Sequence, residues 1–238
     1  MVVGSPVFCA LDTPERAIAL DWATRLAGVV GGLKLGLEYF GAEGPAGIAA
    51  VADTGMPIFL DLKLHDIPQT VAGAISSVAP LAPSFVTIHT QGGPAMMEAA
   101  AEAATKAAQT AGVSRPRLLG VTVLTSLDAQ DLAATGISGA VVDQVLRLAA
   151  LAAQSGLDGI VCSPLEIAAV RAALGPDLVL MVPGIRPAGV GKSDQKRVMT
   201  PEEAMAAGAN HLVIGRAITG ADDPVAAATA IAASLAAL

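Results

Sequence analysis

Along the chain, short unbroken apolar runs alternate with longer helix-like stretches from one end to the other. The runs lie at 7–11, 32–36, 58–63, 85–89, 118–124, 159–162, 178–183 and 211–215. Continuous apolar segments of this length predict parallel strands covered on both faces. Helices are predicted between and after them at 14–27, 45–53, 68–81, 94–111, 139–155, 164–174, 201–207 and 224–237. All but the fifth open on proline, which suits a first helical position. Gly55, Gly112, Gly156, Gly175 and Gly208 follow helical stretches, where a left-handed cap is wanted. Eight strand-then-helix units without a composition break predict an α/β fold, one (β/α)8 TIM barrel over residues 1–238. A doubly wound open sheet is the alternative, but no Gly-x-Gly-x-x-Gly follows the first strand.

Composition narrows the picture. Of the 238 residues, 53% are hydrophobic and only 3% aromatic, so the core must be aliphatic. A formal charge of -7 disfavours nucleic acid as a partner, because phosphate neutralisation needs clustered Lys and Arg. It leaves room for a small phosphorylated ligand, which needs only one or two local cations. Cys9 and Cys162 share no metal-ligand spacing and fit a reduced, cytoplasmic chain. Met1-Val2-Val3-Gly4-Ser5-Pro6 lacks the basic start of a signal peptide, and no apolar run approaches the roughly 20 residues of a membrane span.

Chemistry concentrates in Asp61-Leu62-Lys63-Leu64-His65-Asp66. Alternation on a strand projects Asp61 and Lys63 together while Leu60, Leu62 and Leu64 face the other way. Opposite charges on the inner face of an apolar strand are costly unless paired. Asp66 falls just past the strand end, and Pro68 suits the first turn of the next helix. In a barrel the active site lies at the carboxyl ends of the strands. The polar residues predicted there are Asp12, Lys34, Asp61, Lys63, His89, Thr125, Ser126, Ser163, Arg186, Gly215 and Arg216.

These residues fall into blocks that resemble a known family. Asp61-x-Lys63-x-x-Asp66-Ile67-Pro68-x-Thr70 is similar to the signature of the orotidine 5′-phosphate decarboxylases. Further blocks follow in family order: Ala10-Leu11-Asp12, Leu33-Lys34-Leu35-Gly36, Val123-Leu124-Thr125-Ser126 and Pro183-Gly184-Ile185-Arg186-Pro187. Asp194-Gln195-Lys196-Arg197 and Val213-Ile214-Gly215-Arg216-Ala217-Ile218 complete the match over essentially the whole chain.

The resemblance implies decarboxylation of orotidine 5′-phosphate to UMP without cofactor or metal. Loss of carbon dioxide from C6 leaves a carbanion that the pyrimidine delocalises poorly. A fixed ammonium beside C6 stabilises that charge and then donates the proton, the role implied for Lys63. Asp61 and Asp66 would flank it, and Lys34 would complete an alternating line of charges. Asp66, Ile67 and Thr70 would reach the neighbouring site of a homodimer. Asp12 and Lys34 would hold ribose hydroxyls, with Thr70 of the partner helping. Thr125, with or without Ser126, would address the pyrimidine edge. Gln195, Gly215 and Arg216 would hold the phosphate, and Arg186 would join the binding residues. The segment 188–193 reads as a lid.

Plainer readings compete. Asp61 and Lys63 could form a purely structural ion pair, and Arg186 could anchor its own loop through a salt bridge. His65 and His89 raise a metal site with the carboxylates, but they fall on different units; His89 is expected to be a hydrogen-bonded strand-end residue. His211 is expected to cap or face solvent at the start of strand eight. Gly191-Lys192-Ser193 does not complete a phosphate loop, because position 186 is arginine. Asp-x-Lys-x-x-Asp is shared with metal-dependent sugar-phosphate decarboxylases and hexulose-phosphate synthases, and a non-catalytic nucleotide-binding barrel is a further alternative.

Overall fold

The computed structural model describes residues 4–187 and 198–236. The strands are β1 (Val7–Ala10), β2 (Gly32–Gly36), β3 (Ile58–Leu64), β4 (Phe85–His89), β5 (Arg117–Val121), β6 (Gly159–Val161), β7 (Val179–Val182) and β8 (His211–Ile214). They pair in parallel, each with its neighbour in sequence, and β8 closes on β1. Helices α1 (Arg16–Leu26), α2 (Leu37–Ala52), α3 (Pro68–Val78) and α4 (Pro94–Ala111) cover the first half. The second half carries α5 (Ala129–Ala134), α6 (Val141–Gln154), α7 (Ile167–Leu174), α8 (Pro201–Ala206), α9 (Arg216–Thr219) and α10 (Pro224–Ala236). The (β/α)8 barrel read from the alternation is the fold observed.

Strand alternation separates two cores. Outward residues such as Cys9, Leu33, Leu35, Leu60, Val86, Ile160 and Leu212 belong to the large aliphatic layer beneath the helices. Inward residues Phe8, Phe59, Phe85, Leu119 and Met181 form a separate cluster inside the barrel. Phe8 packs edge-on against Phe59 and Phe85, with ring centroids 6.3 and 5.6 Å apart. Three of the six aromatic residues of the chain are therefore spent on the barrel interior.

Several boundaries differ from the sequence reading. The predicted strand 118–124 stops at Val121; Thr122 beyond it donates both its backbone N–H, at 3.3 Å, and its hydroxyl, at 2.9 Å, to the carbonyl of Val161. The short helices α5 and α9 had no apolar period of their own to announce them. Gly44, at φ 59° and ψ -160°, breaks α2 into two helical stretches; the second opens on Pro45 as predicted, and the first, from Leu37, was not predicted. His211 neither caps nor faces solvent. Its ring packs against Phe8 and Phe85 at 5.3 Å each, with Nδ1 buried and without a hydrogen-bond partner. Burial, with Arg117 nearby, lowers its pKa to about 4.

Candidate active site

The inward residues at the carboxyl ends of the strands line a cavity of about 260 Å³. Its charged side begins on β2. Lys34 pairs in register with Ala10 on one neighbour and Phe59 on the other, which points its side chain into the barrel. Its ammonium lies 2.8 Å from Asp12 Oδ1 and 4.0 Å from Asp61 Oδ2. Asp61 Oδ2 in turn accepts a hydrogen bond from Lys63 Nζ at 2.8 Å. The four side chains thus form one line, acid–amine–acid–amine, from the loop after β1 to the end of β3. Asp61 is buried with its carboxylate paired to both amines, whereas Asp12 is exposed.

Lys63 reaches this position through an irregular backbone. It has φ 50°, in the left-handed region that disfavours a lysine, and the β3–β4 register shifts between Leu60 and Leu64. Leu60 and Leu62 stay in the outer core, as alternation predicted.

The rest of the cavity wall divides into a polar rim and an apolar back. Thr125, Arg186, Gly215 and Arg216 stand at its edge; Ser126 does not line it. Ala10, Phe59, Val121, Val123, Val161, Cys162, Ile185 and Val213 supply the apolar part. Sequence reasoning missed this wall, although most of its members are inward positions at strand ends, readable once the strand register is fixed. Also missed was Gly36, where a Cβ would stand 3.1 Å from Lys34 Nζ.

Asp66, Ile67 and Thr70 are exposed and lie outside the cavity of their own chain. Asp66 Oδ1 accepts from the Ile67 amide at 2.6 Å, which fixes the turn into α3. Ile67 is 66% exposed and Leu37 61%, two large apolar side chains left uncovered. Gln195 and the segment 188–193 lie outside the described residues. His89 ends β4 beside His65, with ring centroids 5.4 Å apart, but its Nδ1 is buried without the expected hydrogen bond. Burial, then the neighbouring His65 and Lys63, lowers the His89 pKa. Among the described residues, no three His, Cys, Asp or Glu side chains converge as metal ligands.

Fold and site together define a TIM-barrel protein whose ligand cavity joins an alternating charge line to a polar rim. The chain belongs to the orotidine 5′-phosphate decarboxylase / HUMPS family, whose model matches residues 5–231. It is 56% identical to orotidine 5′-phosphate decarboxylase of Paramagnetospirillum magneticum over 231 residues, which are 97% of this chain and 98% of that protein. Identity to the Rhodospirillum rubrum protein of the same name is 54%, over 96% of this chain and 93% of that one. The crystal structure of orotidine 5′-phosphate decarboxylase from Lactobacillus acidophilus superposes with a TM-score of 0.84 at 36% identity, covering 97% and 99% of the two chains.

Proposed function

We propose that this protein converts orotidine 5′-phosphate to UMP and carbon dioxide without cofactor or metal, as a cytoplasmic step of pyrimidine synthesis. The single observation that carries the reading is the line Asp12–Lys34–Asp61–Lys63, closed by contacts of 2.8, 4.0 and 2.8 Å at the mouth of the barrel. An ammonium already paired to a buried carboxylate is preorganised for charge that develops beside it. In the proposed step the bond between C6 and the carboxylate breaks and its electron pair stays on C6. Carbon dioxide leaves, and Lys63 transfers a proton to C6. The neutral amine regains a proton from solvent.

The remaining contacts are assigned by resemblance to the family. Asp12 and Lys34 hold the ribose hydroxyls, and Thr125 addresses the pyrimidine edge, with or without Ser126. Arg216 grips the phosphate beside the backbone of Gly215, with Arg186 at the same cavity rim. Gln195, outside the described residues, joins them by resemblance to the family. A homodimer brings Asp66, Ile67 and Thr70 of the partner to each site. The exposed side chains of Ile67 and Leu37 support that pairing, since a partner would cover them.

The test is the loss of orotidine 5′-phosphate absorbance with purified, chelator-treated protein. Turnover undiminished by chelation is expected. Activity that appears only with added divalent metal would move the protein to the metal-dependent sugar-phosphate branch and overturn the reading.

A further inference from the structure

Thr87 lies in the middle of β4, fully buried, and its hydroxyl makes two hydrogen bonds that a regular parallel ladder does not need. It accepts from the Lys63 backbone N–H at 2.8 Å and donates to Asp61 Oδ1 at 2.9 Å. The register explains why. Leu60 pairs with Val86 and Leu64 with Ile88, so Asp61, Leu62 and Lys63 all stand opposite Thr87 alone. The extra residues bulge, Lys63 takes its left-handed φ of 50°, and its amide leaves the ladder. The Thr87 hydroxyl is the group that receives it.

We propose that Thr87 is a positioning residue for the decarboxylation. It does not itself line the ligand cavity, yet it holds both members of the charge pair that does. Its acceptor side fixes the backbone from which the Lys63 ammonium projects. Its donor side fixes Asp61 through Oδ1, so that Oδ2 is left facing Lys63 at 2.8 Å and Lys34 at 4.0 Å. One hydroxyl has a single proton and can serve both bonds only in this direction. Valine has nearly the same shape but would leave the Lys63 amide and Asp61 Oδ1 without partners. Asp61 could then turn about its last torsion, and the ammonium would lose its aim.

This inference rests on the catalytic reading of Lys63 given above, and the test separates the two. Steady-state kinetics, pH profiles and thermal midpoints are compared for Thr87→Val, Thr87→Ser and Lys63→Ala. A displacement of about 1 Å at a reacting group costs on the order of 100-fold in rate. Thr87→Val should therefore lower kcat by about that factor, while KM, set by ribose and phosphate contacts elsewhere, shifts less than about threefold. Thr87→Ser, which keeps both hydrogen bonds, should restore kcat to within a few-fold.

A purely structural role would lower the thermal midpoint of Thr87→Val and leave the kcat and pH profile of its folded fraction unchanged; that result overturns the inference. Should the valine variant yield no folded protein, Thr87→Cys, with only a weak S–H donor, must show the same selective loss of kcat, and normal turnover there overturns it equally. An inactive Lys63→Ala beside a fully active Thr87→Val removes the Thr87 role alone. A Lys63→Ala protein with normal turnover removes both.

Discussion

Gly36 stands so close to the Lys34 ammonium that a Cβ built on it would lie 3.1 Å from Nζ and 3.7 Å from Asp12 Oδ1. The two residues are one strand period apart on β2, so they share the inner face of the barrel. The absence of a side chain at 36 is what lets the amine lie between its two carboxylates. Gly36→Ala should push Lys34 away from Asp12 and lower kcat/KM by roughly tenfold or more, with little change in unfolding temperature. Kinetics and calorimetry on the same preparation check both halves.

Arg216 begins α9 at the cavity rim, beside Gly215. If it grips the phosphate, Arg216→Ala should raise KM for orotidine 5′-phosphate by about 100-fold, and inhibition by inorganic phosphate should weaken in parallel. An unchanged KM would place the phosphate elsewhere.

Ile67 is the most exposed large apolar side chain among the described residues and sits directly before α3. Ile67→Glu should weaken the proposed dimer, because a charge cannot be buried at its contact without a partner. Sedimentation should show a shift toward monomer, and specific activity should then depend on protein concentration. A monomeric wild-type protein with full activity would sink the shared-site arrangement.

The half-buried imidazole of His211 gives the fold an acid sensitivity of its own. Its pKa is about 4 when folded and near the ordinary value of 6.5 when unfolded, so the unfolded chain binds the extra proton between those values. Stability associated with this ring is complete above about pH 6.5 and is lost as pH falls toward 4. Discounted for the solvent that reaches the half-buried ring, the loss is on the order of 2 kcal/mol. Urea unfolding of His211→Leu at neutral and acid pH should show a flatter decline than the wild type; an equally steep one would assign the sensitivity to other groups. His89, whose pKa is also lowered, adds to the decline in the same direction.

Much of this was readable from the chain because local signals agreed with the global fold. Pro68, Pro94, Pro201 and Pro224 each open a helix where proline suggested one. Gly32–Gly36 and Phe85–His89 begin and end as their apolar patterns did. Asp12, Lys34 and Asp61 converge as inner-face alternation and the carboxyl-end rule lead one to expect, and Lys63 joins them through the bulge at the end of β3. What was hidden depends on pairing between distant segments. Thr87 resembles any inward threonine until β3 is found to bulge opposite it. His211 looked like a polar strand start, but closure of β8 on β1 carries it against Phe8. The strand ending at Val121 runs on in sequence through Val123 and Leu124, whose apolar side chains serve the cavity wall instead of the sheet.

The ring cluster of Phe8, Phe59 and Phe85 packs inside the barrel, and Phe59 forms part of the cavity wall that also holds Lys63. Under the proposed chemistry, the proton handed to C6 is then replaced through the opening that admits substrate and releases product. Recharging of the lysine waits on that traffic, which ties the enzyme's readiness for the next cycle to the exit of the nucleotide.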